Sequence, residues 1–408
     1  MAQAANRSNH IDFLDQVRGI AILSVFLVHA FGQSFGVAVL PWNGWHAGFG
    51  APKLFLLLLP LSYGFAGVSI FFVVSGFCIH LSFHQHPDWR AFFIRRFFRI
   101  YPPYLFALLL FAIFLPWTRV GHTFAHQVFQ IGLHAMLLHN FSSATLGSIN
   151  PNFWSIAVEV QLYLMYPLLI WGVSRWGWSK FLACLAVMEF GLRGFLRFLP
   201  ALTGTHTDNW WQGIPVVYAW LTGFPLIYWF SWAIGAALAD AYLAGRPLPF
   251  ARHSLLGWGA PACGSFLIKD FACFTFTLFA VFTATGIAAL LQRNYFQQLP
   301  KLFSEPLRLV GICSYSMYLI HFPFLSLAPR VAGLLFATGR VTPLEIFVTG
   351  LGFLFPIFLL SAVWYRLFEI PSIMFGKKLV RRFLAGQKTL AHLAETRGRL
   401  RAWQELQP

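Results

Sequence analysis

The feature that most constrains this chain is a series of apolar stretches separated by short polar connections, at residues 17–38, 61–83, 102–118, 153–173, 179–199, 224–243, 254–268, 271–291, 307–328 and 343–366. A helix of about 20 apolar residues crosses the roughly 30 Å of hydrocarbon in a bilayer. It also satisfies its backbone donors and acceptors internally, as hydrocarbon requires. The composition fits: 58% of the residues are apolar and 10% are charged, against about 45–50% and about 25% in soluble domains. The expected fold is all-α, a polytopic membrane bundle of about ten transmembrane helices. The stretch at 254–268 is short, and 122–139 reads as an amphipathic interfacial segment. The first stretch is too long for the apolar core of a signal peptide, carries His29 and is followed by no small-residue cleavage pattern, so it is expected to remain in the mature protein.

Orientation follows from Lys and Arg, which accumulate in cytoplasmic loops near helix ends. With the N-terminus inside, all but seven of the 29 basic residues fall on the cytoplasmic side, the exceptions being Lys53, Arg119, Arg193, Arg197, Lys269, Arg330 and Arg340. Both termini are then cytoplasmic. The expected organisation is a membrane-embedded unit over 1–376 and a basic tail over 377–408, in which Lys377, Lys378, Arg381 and Arg382 lie along an anionic inner leaflet. The net charge of +16 is on this view a topology signal with attraction to membrane lipids, and no nucleic-acid partner is expected. The expected location is the cell membrane.

Cys78, Cys184, Cys263, Cys273 and Cys313 all fall in apolar stretches without metal-ligand or disulfide spacing. His80, His84 and His86 form the tightest histidine cluster, with His80 and His84 at i,i+4, but no carboxylate motif stands beside them. They read as interfacial histidines at a helix end, and no metal is expected. No nucleotide fingerprint, phosphate loop or internal repeat is evident, so any chemistry belongs to the bundle.

Four constellations there carry ionisable or polar groups. In "LDQVRGIAILSVFLVHAFG", Arg18 and His29 are eleven residues apart; in a helix that is about 1100° of rotation and about 16 Å of rise, placing both on one face with His29 deep in the hydrocarbon. An ionisable group at that depth marks function by default, the competing reading being a histidine satisfied by a neighbouring helix. In "RAFFIRRFFRIYPPYL", Arg95, Arg96 and Arg99 stand at a cytoplasmic helix entrance, where guanidinium forks suit polyphosphate oxygens but where any membrane protein places arginine. In "NFWSIAVEVQLYLMYP", Ser155 and Glu159 share a face beside Trp154 and Gln161, and an intramembrane carboxylate calls for a partner, His or Arg, or a structural hydrogen bond. In "GICSYSMYLIHFPFL", Tyr315, Tyr318 and His321 repeat at i,i+3, as an aromatic interface with a satisfied histidine or as part of a site.

These fragments together resemble the acyltransferase-3 family of multi-pass membrane enzymes. The likeness rests on Arg18 followed by His29, on "GVSIFFVVSGFCI", on Arg96 and Arg99 within "RRFFRIYP", on "FWSIAVEVQLYLMYP" and on "SYSMYLIHFP", in that order over residues 11 to about 371. It implies transfer of an acyl group, acetyl by default, from acyl-CoA to a hydroxyl of a saccharide, a lipid-linked saccharide or a related acceptor, with no permanently bound cofactor. Many members add an extracytoplasmic esterase-like domain; this chain is expected to be the form that completes transfer within the bundle. In that reading Arg18, Arg96 and Arg99, with Arg95, take the phosphorylated end of the donor. His29 acts as general base, Glu159 or another polar group fixes its tautomer, and Trp154, Ser155, Tyr318 and His321 support the site. An acyl-histidine intermediate stays open. Trp42, Trp45, Trp210 and Trp211 suit either sugar stacking or a membrane-interface belt. A secondary transporter, which also uses intramembrane His and Glu, is the alternative; it has no need of an arginine cluster for CoA.

Overall fold

The computed structural model describes residues 13–36, 57–114, 123–142, 145–202, 223–268, 270–293, 300–336 and 341–385. Trp42, Trp45, Trp210 and Trp211 lie outside them, as do residues 386–408 of the tail. The described elements are all helical, with no strand among them. In chain order they are α1 (Phe13–Phe35), a 3-10 turn (Leu59–Phe65) leading into α2 (Ala66–Gln85), α3 (Trp89–Phe114), α4 (Phe124–Ala135), α5 (Phe153–Leu202), α6 (Trp229–Leu243), α7 (Leu255–Leu267), α8 (Thr275–Arg293), α9 (Lys301–Ile312), α10 (Ser314–Leu325), α11 (Ala328–Phe336), α12 (Pro343–Gly352) and α13 (Leu354–Trp364). A π-helical turn, Tyr365–Glu369, continues α13.

Seven of the described segments are long and apolar enough to cross a membrane, and eight if α10 and α11, bent by 52° from each other, together make one broken span. The expected ten stretches map onto these segments with physical reasons for the differences. The stretches at 153–173 and 179–199 fall in the single 50-residue α5, which if straight would be about 75 Å long, far more than a bilayer core. It is broken at Gly177, where φ is 76° and ψ 162°, a conformation that costs a residue with a Cβ and costs glycine little. The stretch at 254–268 is the 13-residue α7, about 20 Å long and too short to cross alone. The expected interfacial segment is α4, capped by the Thr123 side chain. It turns Phe124, Val128 and Phe129 outward and buries Gln130 and His134, a pattern suited to a lipid-facing surface. Lys377, Lys378, Arg381 and Arg382 continue the helix that runs from Pro343 to Ala385.

Because lipid tails are as apolar as leucine, helices in such a bundle are held by close packing of small residues and by internal polar contacts. The crossing of α2 and α6 has this form. A Cβ on Gly76 would stand 2.0 Å from the carbonyl oxygen of Trp232, and one on Gly235 would stand 1.9 Å from that of Val73. The crossing of α1 and α9 is as tight, since a Cβ on Gly311 would lie 1.7 Å from the Asp15 carbonyl oxygen. Beside these crossings, α1, α2, α3, α5 and α10 surround one interior space.

Candidate active site

That space is lined by Arg18 of α1, Ser75 and Cys78 of α2, Arg96 and Arg99 of α3, Ser155, Glu159 and Tyr163 of α5, and Ser314, Tyr315 and Tyr318 of α10, over apolar walls from Val68, Phe71, Phe72, Ile79, Ile100 and Ile156. Three cations and one carboxylate therefore face a cavity assembled from five helices. Arg18 is held from two sides: Nη1 donates to Asp15 Oδ1 at 3.0 Å and Nη2 to Cys78 Sγ at 3.2 Å. Arg96 donates to Ser82 Oγ at 2.8 Å and lies over the Phe92 ring. Glu159 accepts from Ser75 Oγ at 2.7 Å and from the Tyr163 hydroxyl, one turn along its own helix. Arg95 stands apart from the cavity, its Nη2 3.5 Å from the His86 carbonyl, and Trp154 packs against Tyr228.

His29 and His321 meet outside this cavity wall. His29 Nδ1 is 2.9 Å from His321 Nε2 and the rings are stacked with centroids 5.1 Å apart. Their protonation pattern follows from the neighbours. His321 Nδ1 lies 2.9 Å from the Met317 carbonyl, which can only accept, so Nδ1 carries the proton. In the neutral ring His321 Nε2 is then an acceptor. It receives the Asn152 amide at 3.1 Å and the Nδ1–H of His29. His29 is left with its Nδ1 as donor and, among the described residues, with no hydrogen-bond partner for the lone pair on Nε2. Only a hydrogen-bond network assigns such tautomers, and here one fixed carbonyl, through His321, decides both rings.

Glu159 is therefore not the group that orients His29, as its spacing on α5 allowed; it is committed to Ser75 and Tyr163, and His321 does the orienting. Ser155 and Tyr318 connect the two regions. Ser155 lines the cavity and donates to the Tyr318 hydroxyl at 2.7 Å, while Asn152, three residues earlier, holds His321. The position of α10 is fixed along its length: Tyr315 donates to the Ile100 carbonyl at 2.8 Å, Ser316 to the buried Glu369 at 2.8 Å, and Asn150 Nδ2 to the Leu319 carbonyl at 2.9 Å. Glu369 comes from the π-helical turn, a backbone irregularity that often accompanies function.

A family model described as "Acyltransferase domain" matches residues 11–366, most of the chain. The chain belongs to the acyltransferase-3 family. Among curated proteins it is similar to the peptidoglycan O-acetyltransferase OatA of Listeria monocytogenes serovar 1/2a, 26% identical over 297 residues, which cover 66% of this chain and 46% of that protein. It is also similar to the O-acetyltransferase OatA of Staphylococcus aureus strain NCTC 8325, 27% identical over 294 residues, covering 65% and 46%. The match thus spans about half the length of these relatives. No solved structure matches the chain.

Within this acyltransferase-3 chain, sequence reasoning singled out the cations, the carboxylate and both histidines, but missed the residues that tie them together. Asp15 and Cys78 on Arg18, Ser75 and Tyr163 on Glu159, and Asn152 on His321 are small or polar residues without distinctive spacing. Asn150 and Asn152, ahead of α5, carry only the weak signal of polar residues at a helix start.

Proposed function

We propose that this membrane protein transfers an acyl group, acetyl by default, from cytosolic acyl-CoA to a hydroxyl of a saccharide or related acceptor. The observation that carries this reading is the arrangement of Arg18, Arg96 and Arg99 on one cavity whose wall residue Tyr318 packs against His321, the partner of His29, with ring centroids 5.7 Å apart. Phosphate oxygens of the donor pair with the guanidinium groups, and the flexible pantetheine arm carries the thioester inward. His29 Nε2 accepts the proton of the acceptor hydroxyl as its oxygen attacks the thioester carbonyl. The C–O bond forms, the C–S bond breaks, and the leaving CoA thiolate takes the proton back from His29. His321 accepts from Nδ1–H throughout and so stabilises the imidazolium without exchanging a proton.

The saccharide acceptor rests on the names of the similar O-acetyltransferases, about half of whose length this chain matches. Ten crossings with both termini cytoplasmic follow if α5 crosses twice, α10 with α11 once, and α7 completes its span beyond its 13 residues. This orientation puts Arg96 and Arg99 on the donor side. Cysteine labelling from outside the cell, on a background lacking the native cysteines, checks it: a cysteine at position 88 is expected to stay protected from an impermeant reagent, and rapid labelling overturns the donor-site assignment.

The function is tested by comparing surface glycans, by mass spectrometry, from cells with and without the protein, alongside release of free CoA by the purified chain. Added acyl groups together with acceptor-dependent CoA release are expected. Acceptor transport without thioester consumption overturns the proposal.

A further inference from the structure

His80 and His84, one turn apart on α2, read from sequence as interfacial histidines without an acidic partner. The fold supplies that partner from 160 positions away: Asp240 on α6 places Oδ1 3.3 Å from His80 Nε2 and 3.8 Å from His84 Nε2. One donor atom from each of the three residues lies within 4.8 Å of the others. We propose that His80, His84 and Asp240 form a binding site for a divalent transition ion of the zinc class, joining α2 to α6 at the end of the bundle from which α3 sets out with Arg96 and Arg99.

Three features of the cluster point to coordination. Ligands about 2.0–2.1 Å from a tetrahedral ion stand about 3.3–3.4 Å from one another; His80 Nε2 is already at that distance from Asp240 Oδ1, and the exposed His84, 3.8 Å from the same oxygen, is the ligand that moves to complete a set whose donor atoms all lie within 4.8 Å. Next, His80 Nδ1 is 3.0 Å from the Tyr166 hydroxyl. Without an ion, His80 Nε2–H donates to Asp240 Oδ1 and Nδ1 accepts from Tyr166; an ion that replaces the Nε2 proton turns Nδ1–H toward the Tyr166 oxygen, the outer hydrogen bond that metal-bound histidines ordinarily carry. Finally, the site is closed on one side and open on the other. His80 is buried at 1% exposure, with Trp178 edge-on to its ring, whereas the His84 side chain is 48% exposed and leaves room for a water as fourth ligand.

Arg246 is the competing cation. It contacts Asp240 Oδ2, the oxygen turned away from the imidazoles, and its side chain is 54% exposed. An ion held on Oδ1 shares the carboxylate with Arg246 and is repelled by it, so Arg246 limits affinity. The ligand pair also spans the α2–α6 crossing fixed by Gly76 and Gly235. That crossing is closely packed without metal, so the ion adds a restraint at the helix ends instead of creating the fold.

The test uses the full chain in detergent, free of any histidine tag and stripped with EDTA, titrated with zinc chloride by calorimetry and thermal denaturation, and with cobalt chloride by visible absorption. One saturable equivalent, a rise in Tm and an intense tetrahedral cobalt spectrum are expected. His84→Ala, at an exposed position that the fold does not depend on, is expected to weaken binding at least about tenfold; Asp240→Asn is expected to do the same, and Arg246→Gln to strengthen it several-fold. Absence of saturable binding, or binding unchanged in His84→Ala because the ion sits on other histidines, overturns the site and leaves a hydrogen-bonded His–Asp–Arg cluster only.

Discussion

Two histidine pairs in this bundle sit in opposite electrostatic settings. His80 and His84 come from one helix and share a carboxylate that also holds an arginine. His29 and His321 come from helices 292 residues apart, and their polar partners among the described residues are a carbonyl, an amide and each other. A carboxylate beside an imidazole favours a cation there, whether a proton or a metal ion. Without one, the Met317 carbonyl fixes only which nitrogen of the His321 ring carries the proton, and among the described residues the Nε2 of His29 has no hydrogen-bond partner. On the two proposals made above, the placement of acids, more than the count of histidines, is what separates an ion-holding pair from a proton-accepting one.

The strongest test of this contrast is His29→Ala, which is expected to lower acyl transfer by about 10²–10⁴ while donor binding persists. His29→Gln should behave the same way, because it keeps a hydrogen bond but takes no proton. Transfer and donor binding measured side by side on variants of matched stability decide the point, and near-normal turnover by His29→Gln would remove the general base from the mechanism.

A smaller effect is expected from the cavity. Arg96→Ala or Arg99→Ala should weaken acyl-CoA binding by roughly 10- to 100-fold, since a charge-assisted contact is worth about 1.5–3 kcal/mol, and lysine should rescue only in part. A donor titration that leaves the double variant unchanged would return both arginines to a purely topological role. Asn152→Ala removes one neutral hydrogen bond from His321, worth about 0.5–1.5 kcal/mol, and is expected to reduce kcat up to about tenfold with little change in KM for the donor. A larger change in KM than in kcat would place Asn152 in binding instead. The smallest effect sharpens the contrast from the other side: His84→Ala is expected to leave acyl transfer within about twofold, and a loss like that of His29→Ala would mean that the two pairs share one function.

The sequence by itself determined that this chain lives in a membrane, because backbone groups in hydrocarbon must bond within their own helix and apolar runs of sufficient length are visible residue by residue. It also marked Arg18, His29, Glu159 and His321, because an ionisable side chain in an apolar run is conspicuous whatever it touches, and Arg96 and Arg99 as an arginine cluster at a helix entrance. The number of crossings was less legible: the break at Gly177 and the bend between α10 and α11 depend on packing that hydropathy does not record. Which polar residue meets which across helices was decided by tertiary structure alone. The spacing of Arg18 and His29 put them on one face of α1, yet only the placement of α2 and α10 gave the first to Cys78 and the second to His321. Glu159 went to Ser75, and Asp240 reached His80, by the same rule. Periodicity along a helix fixes the direction of a side chain, whereas its partner is set by the neighbouring helix that close packing brings within hydrogen-bond range.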